Sequence, residues 1–313
     1  MDNIDIMQRK RQLYINEIIL SLREIKEDLT IDLDNTTILG GRVLNIFLPE
    51  HKLAIQFNDN YFGSSIFKTA LYNQENTIKC GKKRIRLIHI FEYEWINPDL
   101  RQKILVLLRS IISPTTNRVE YARKLEVLPI SKILAHDFID KYHIQSYTDS
   151  SINYGLYKSS ELLGVITFGR PRFTRSRNKS DGTYELIRLS YKSEVAVVGG
   201  SAKLFKQFII DYSPSVILSY CDISKFYGAV YPRLGFKLDE NGLTRPNYVW
   251  VNTTNGDVLK RYQTMKHKLI VKGYGTEEQT ETDIMKSIGY SQIYDCGNFR
   301  FVWNAPDNEF NQV

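Results

Sequence analysis

Residues 42–58 read Arg42-Val-Leu-Asn-Ile-Phe-Leu-Pro-Glu-His-Lys-Leu-Ala-Ile-Gln-Phe-Asn58. Leu44, Ile46 and Leu48 alternate with Asn45 and Phe47, and Leu53, Ile55 and Phe57 alternate with Ala54, Gln56 and Asn58. A period of two marks both runs as half-buried strands. With 49–52 as a four-residue connection, position 48 pairs with 53, which sets Asn45 opposite Gln56 with Cβ atoms about 5 Å apart. Arg86-Leu-Ile-His-Ile-Phe91 is apolar enough throughout for a central strand, and Glu92-Tyr-Glu-Trp95 follows it.

The segments on either side are helical in pattern. Ile15, Ile18, Ile19, Leu22, Ile25 and Leu29 form one apolar stripe over 6–29, preceded by Gln8, Arg9, Lys10 and Arg11, which suit phosphate contact or simple solvation. Asn97 caps a helix that opens on Pro98, with Leu100, Ile104, Leu107, Leu108 and Ile111 as its buried face. Ser113-Pro-Thr-Thr-Asn117 reads as a linker.

Composition bounds the rest. The 313 residues are 42% hydrophobic and 25% charged, enough for two globular domains. Lys and Arg outnumber Asp and Glu by 42 to 35, a net charge of +7 that favours a polyanionic partner. Cys80, Cys221 and Cys296 lack the spacing of a disulfide framework or a zinc site. No run has the length of a membrane span, so a cytoplasmic protein with no membrane partner is expected.

Three basic clusters punctuate the chain. Lys79, Lys82, Lys83, Arg84 and Arg86 close a segment with Tyr61, Phe62 and Tyr72; Arg170, Arg172, Arg175, Arg177 and Lys179 crowd one loop; Lys260, Arg261, Lys266 and Lys268 lie in a helix-compatible stretch. Cations interleaved with aromatics suit a phosphate-lined groove, and solvated loops look the same.

The second half alternates strand and helix. Leu125 to Ile130, Ile152 to Tyr157, Leu162 to Phe168, Tyr184 to Ser190 and Val216 to Asp222 read as strands, with a helix over 131–142. Gly199 and Gly200 end a strand-to-helix turn, where the N–H groups at the start of the Ser201 helix make an anion site. Tyr248-Val-Trp-Val251 reads as a last strand and 277–288 as a last helix.

"LNIFLPEHKLAIQFN" and "CGKKRIRLIHIFEYEW" resemble phage homing endonucleases with a PD-(D/E)XK core close to very-short-patch repair nucleases. The resemblance implies an Asp, a Glu, a Trp-His pair and a Lys at places where this chain carries Asn45, Gln56, Phe62-Gly63 and Asn76. Two carboxylates hold Mg²⁺ in such a site, and neutral amides bind it far more weakly. Glu17 falls where relatives place an acidic residue on the first helix. The set from Tyr154 to Phe236 is similar to GNAT acyltransferases, and "YGLYKSSELLGVITFG", "YELIRLS" and "GGSAKL" to phage Mom-type DNA-modification proteins. This implies a general acid at Tyr231 and a phosphate loop at Gly199, Gly200 and Ser201, although Ala196 and Ser201 depart from the loop's first and last places.

The expected architecture is α/β throughout: a PD-(D/E)XK-like mixed sheet over 1–113, a linker over 114–122, a GNAT/Mom-like domain over 123–255 and a basic extension over 256–313. Three functions follow. One is a DNA-binding relative of a homing endonuclease that no longer cuts, a regulator or subunit of a phage complex in an infected host, with double-stranded DNA and phage or host proteins as partners. Another is an active endonuclease in which Asp59, Glu50 or Glu17 replaces the missing Mg²⁺ ligands. The third is a Mom-like enzyme that modifies a base through an acyl donor. The first needs no cofactor, and the motif departures count against acetyl-CoA.

Overall fold

In a computed structural model describing residues 3–114, 118–171 and 182–306, the chain forms two compact units. In chain order the elements are α1 (Asn3–Ile25), β1 (Asp32–Asn35), β2 (Leu44–Leu48), β3 (Leu53–Asn58), α2 (Tyr72–Lys82), β4 (Arg86–Phe91), α3 (Glu92–Trp95) and α4 (Pro98–Ile112). Then come β5 (Val119–Tyr121), β6 (Glu126–Pro129), α5 (Lys132–Tyr142), β7 (Ile152–Lys158), β8 (Glu161–Gly169), β9 (Thr183–Tyr191), β10 (Ala196–Val198), α6 (Gly200–Tyr212) and β11 (Val216–Asp222). The remainder is α7 (Val230–Arg233), β12 (Lys237–Leu243), β13 (Tyr248–Asn252), β14 (Val258–Lys260), α8 (Lys266–Val271), α9 (Glu281–Ser287), β15 (Tyr290–Tyr294) and β16 (Asn298–Asn304).

The first unit comprises 1–113, 222–227 and 245–297. Its main sheet has the order β1-β2-β3-β4, with β2 and β3 antiparallel and β3 and β4 parallel. Leu48 pairs with Leu53 and Ile46 with Ile55, the register read from the alternation. A 3-10 turn at Pro49–His51 and a left-handed Lys52 (φ 46°) make the connection. Ile46, Leu48, Leu53 and Ile55 are fully buried, as are Ile18 and Leu22 on α1 and Ile104 and Leu108 on α4. Each contributes about 1.5–3 kcal/mol of burial energy. The Asn97 side chain accepts from Leu100 N at 3.1 Å, as a cap should, while Ile112 rather than Ile111 completes the buried stripe of α4.

A second sheet of this unit, β14-β13-β15, forms with α8 and α9 around Trp250, Leu269, Ile284 and Met285. Val251 and Ile293 pack on Phe91 of β4, and Asn73 and Gln74 of α2 donate to the carbonyls of Tyr294 and Cys296. The contiguous division expected from sequence therefore gives way to an interleaved one. Tyr248 to Val251 belongs to the first unit instead of closing the second, and its apolar face is what draws it there. Between β14 and β15 the α-helices are Lys266–Val271 and Glu281–Ser287. Gly273 at φ 76° and Gly289 at φ 84° stop both helices by adopting a conformation open to glycine.

The second unit comprises 114–221, 228–244 and 298–313. Its seven strands run β12-β16-β11-β9-β8-β7-β6. From β6 to β9 all pairs are antiparallel, β9 and β11 are parallel, and β16, from the far end of the chain, enters antiparallel to β12. Helix α6 packs on this sheet, its Phe208 ring stacked on Phe168 at 3.6 Å. The arginine-rich loop, with Arg172, Arg175, Arg177 and Lys179, lies outside the described residues, as do 115–117 of the linker.

Candidate functional sites

In the first unit, Asn45 and Gln56 meet as the register requires. Gln56 Nε2 donates to Asn45 Oδ1 at 2.8 Å, and the same oxygen accepts from Phe57 N at 3.0 Å. The two residues are 1% and 6% exposed. Gln56 lies beside His89 on β4, whose ring reaches Asn58 Nδ2 through Nδ1 and Thr77 Oγ1 through Nε2. Burial, then the charge of Lys225, pushes His89 down to about 3, so the ring is neutral at physiological pH. The row is thus an uncharged lattice of amides and imidazole.

Asn76 is drawn elsewhere: its Oδ1 accepts from Arg42 Nη1 at 2.8 Å, while Arg42 also pairs with Glu75 and stacks on Tyr72. A guanidinium therefore stands beside the position where the resemblance puts a lysine. Asn45 Nδ2, Gln56 Oε1 and Asn76 Nδ2 find no partner among the described residues. Leaving such atoms unpaired costs about 1–3 kcal/mol each.

The candidate substitute ligands are committed to structural roles. Glu17 Oε2 accepts from Trp95 Nε1 at 3.0 Å and Arg101 Nη1 at 3.2 Å, fastening α1 to α3 and α4. Asp59 Oδ1 accepts from Tyr61 N and Phe62 N, and its Oδ2 pairs with Arg11. Glu50 accepts from Thr30 Oγ1 at the turn end of the hairpin. Two amides with the shared oxygen already taken do not fit Mg²⁺. Among the described residues no three His, Cys, Asp or Glu side chains are grouped to hold a metal.

The basic clusters differ in availability. Lys79, Lys82 and Arg84 are exposed, although Lys83 donates to Ile38 O and Arg86 to Lys225 O. In the third cluster Lys266 pairs with Glu277, Lys268 donates to Tyr262 O and Arg261 stacks on Tyr248. That cluster mostly braces its own fold. Sequence periodicity could not show this, because the partners are a distant carboxylate, a backbone carbonyl and an aromatic ring.

In the second unit the parallel pairing of β9 and β11 ends at Leu186↔Ser219, whereas β9 stays paired with β8 as far as Tyr191. The two strands part there. Ser219 Oγ lies 2.9 Å from both Leu186 O and Tyr231 Oη. Ser219 offers its one proton to these two acceptors, and the Tyr231 hydroxyl turns its own toward Tyr220 O, 3.4 Å away. Phe301 of β16 stacks on the Tyr231 ring at 4.3 Å and fixes its plane. Burial pushes Tyr231 up to about 12, with the Ser219 bond and the Arg188 charge pulling the other way. It is a proton donor held at a strand divergence.

Gly199 takes φ 77°, and a Cβ there would meet only Ala122, at 3.5 Å. Gly200 serves a different purpose from the ligand approach expected of it. A Cβ at that position would run into Val197, the Tyr191 hydroxyl and Leu156, so the glycine allows close helix-to-sheet packing. Ser201 Oγ bonds the Tyr191 hydroxyl at 3.0 Å. Ala196 lies in β10, which pairs with β5, and its N–H donates to Arg118 O. The departure at Ser201 thus has a partner inside the chain, and the one at Ala196 has no structural explanation.

No helix among the described residues is long and apolar enough to cross a membrane. No family model matches the sequence, and no curated protein does. Among solved structures the chain is similar to a Bacillus subtilis acetyltransferase in complex with CoA, at 12% identity and a TM-score of 0.32, over 58% of this chain and 99% of that one. It is also similar to the ribosomal-protein-S18-alanine N-acetyltransferase of Escherichia coli, at 10% identity and 0.31 over 59% and 97%. A GNAT family acetyltransferase from Elizabethkingia anophelis with acetyl-CoA bound matches at 10% identity and 0.33 over 58% and 99%. Scores this low carry neither activity nor ligand across. They carry no fold across either, and neither a PD-(D/E)XK domain nor a homing endonuclease is shown.

Proposed function

We propose that the second unit is an acyltransferase site and that the first docks on nucleic acid without cutting it. The observation that carries the transfer reading is the Tyr231 hydroxyl, anchored by Ser219 where β9 and β11 part. The α6 N-terminal amides from Gly200 onward would hold the pyrophosphate of an acyl-CoA, and the parted strands its extended arm. When bound, that group supplies a thioester as activated acyl donor. With such a donor held there, Tyr231 Oη would be placed to protonate the departing sulfur, and the proton that the acceptor amine loses as the amide forms would restore the hydroxyl. The resemblance to Mom-type proteins makes a nucleobase amine the acceptor.

Two measurements test the transfer reading. Calorimetry should detect acetyl-CoA, and Tyr231→Phe should lower acetyl transfer about 10²–10⁴-fold with donor affinity unchanged. Absence of acetyl-CoA binding, or a Phe variant as fast as the parent, sinks it.

Support for a nucleic-acid partner comes from the +7 charge and the exposed Lys79, Lys82 and Arg84. Contacts to phosphates release counterions, so duplex affinity is expected to fall steeply with salt, with a log–log slope of about −0.9 for each phosphate engaged. A flat titration would remove the docking role. Lys79→Glu/Lys82→Glu should reduce the slope.

A further inference from the structure

The sheet β14-β13-β15 and helices α8 and α9 enclose a cavity of about 440 Å³ within the first unit. Its floor is apolar and buried: Leu269 is 3% exposed and Met285 0%. Its walls bring together Asn252, Asp257, Gln263 and Lys272, with Tyr274, half exposed, at the rim.

The hydrogen-bond capacity left on these groups is specific. Asn252 Oδ1 already accepts from Thr254 N and Asn255 N, and Gln263 Oε1 from Lys260 N. Each amide therefore has its NH₂ end left to donate. Asp257 Oδ2 accepts from the Tyr290 hydroxyl, which leaves Oδ1 as an acceptor. Burial and then the bond to Asp257 push Tyr290 up to about 12, so it remains the donor in that pair. Lys272 is exposed, and its ammonium has no partner among the described residues. From 258 to 276 the chain carries Lys260, Arg261, Lys266, Lys268 and Lys272 and no Asp or Glu.

An apolar floor, an aromatic rim, two amide donors, one carboxylate acceptor and a cation at the mouth match a flat heterocycle that bears carbonyl and amino groups and carries a phosphate. We propose that this cavity binds a nucleotide, its base over Leu269 and Met285, its edge read by Asp257, Gln263 and Asn252, and its phosphate held by Lys272. An extruded base of a DNA strand and a free mononucleotide share this chemistry. The site is separate from the transfer site in the second unit and stands whether or not acyl transfer occurs.

The four deoxynucleoside monophosphates and a single-stranded oligonucleotide carrying one 2-aminopurine serve as probes, read by calorimetry and by fluorescence. Saturable binding is expected in at least one arm. Binding in the oligonucleotide arm alone assigns the extruded base, and binding of monophosphates assigns the free nucleotide. Lys272→Glu should weaken a monophosphate about tenfold or more and leave the matching nucleoside within about twofold, because only the phosphate contact is lost. Asp257→Asn should narrow the preference among bases. Both substitutions are at exposed positions and spare the core. Silence in both arms overturns the proposal, and so does binding that neither variant changes.

Discussion

Replacing Lys225 with Ala should lower the stability of the first unit by about 3–5 kcal/mol, the cost of leaving one member of a buried ion pair alone. The Lys225 side chain is 2% exposed. Its ammonium donates to Glu94 Oε2 at 2.7 Å and to His89 O, and it lies 5.2 Å from the centre of the Phe91 ring. Removing it strands the Glu94 carboxylate, unpairs a carbonyl of β4 and opens a cavity. Hydrogen exchange at the β4 amides of Leu87 and His89 is the measurement. Lys225→Met combined with Glu94→Gln should restore most of the loss, since the penalty comes from the uncompensated charge. If Lys225→Ala exchanges as slowly as the parent, the buried pair does not hold this unit together.

Much of this fold could be read from residues 42–95 because that hairpin is local. The connection length set the register and the Asn45 to Gln56 contact followed, whereas the half-buried faces read from the alternation did not, because every residue of Leu53–Asn58 is buried. Lys225 was invisible for the opposite reason. Its partners lie 131 and 136 positions away, and nothing in Asp222-Ile-Ser-Lys-Phe-Tyr227 sets it apart from a solvated loop. The same limit hid the interleaving of the two units. Tyr248 to Val251 and Phe299 to Trp303 both lie in strands, but they join different sheets. Only the shape of the surfaces they cover decides which. The nucleotide cavity was equally out of reach, since Asp257, Lys272 and Met285 are scattered along the chain. Tyr231 was singled out through resemblance alone, and the structure adds Ser219 and Phe301, the groups that hold it.

The double variant Asn45→Asp/Gln56→Glu should become dependent on divalent metal for its stability, a dependence not expected of the parent chain. In the parent, Asn45 and Gln56 share one hydrogen bond at 2.8 Å, almost out of contact with water. Exchanging both amides for carboxylates keeps the shape, turns that bond into a contact between two acceptors, and forces one group to keep its proton or both to repel. Without metal the variant should unfold well below the parent. Mg²⁺ or Mn²⁺ between the two carboxylates would offset the repulsion, and at 100 times its dissociation constant would return about 2.7 kcal/mol, or about 5–10 °C. Thermal unfolding with and without metal separates the two chains, because the parent, with neutral amides, should show no shift. The parent should also leave DNA intact in Mg²⁺ or Mn²⁺. Metal-dependent cleavage by the parent that Asp59→Ala abolishes would mean that Asp59 leaves its turn to serve as a ligand, and the inert-site reading would fall. Metal protection of the double variant with no protection of the parent would show that the site has kept its geometry and lost only its charge.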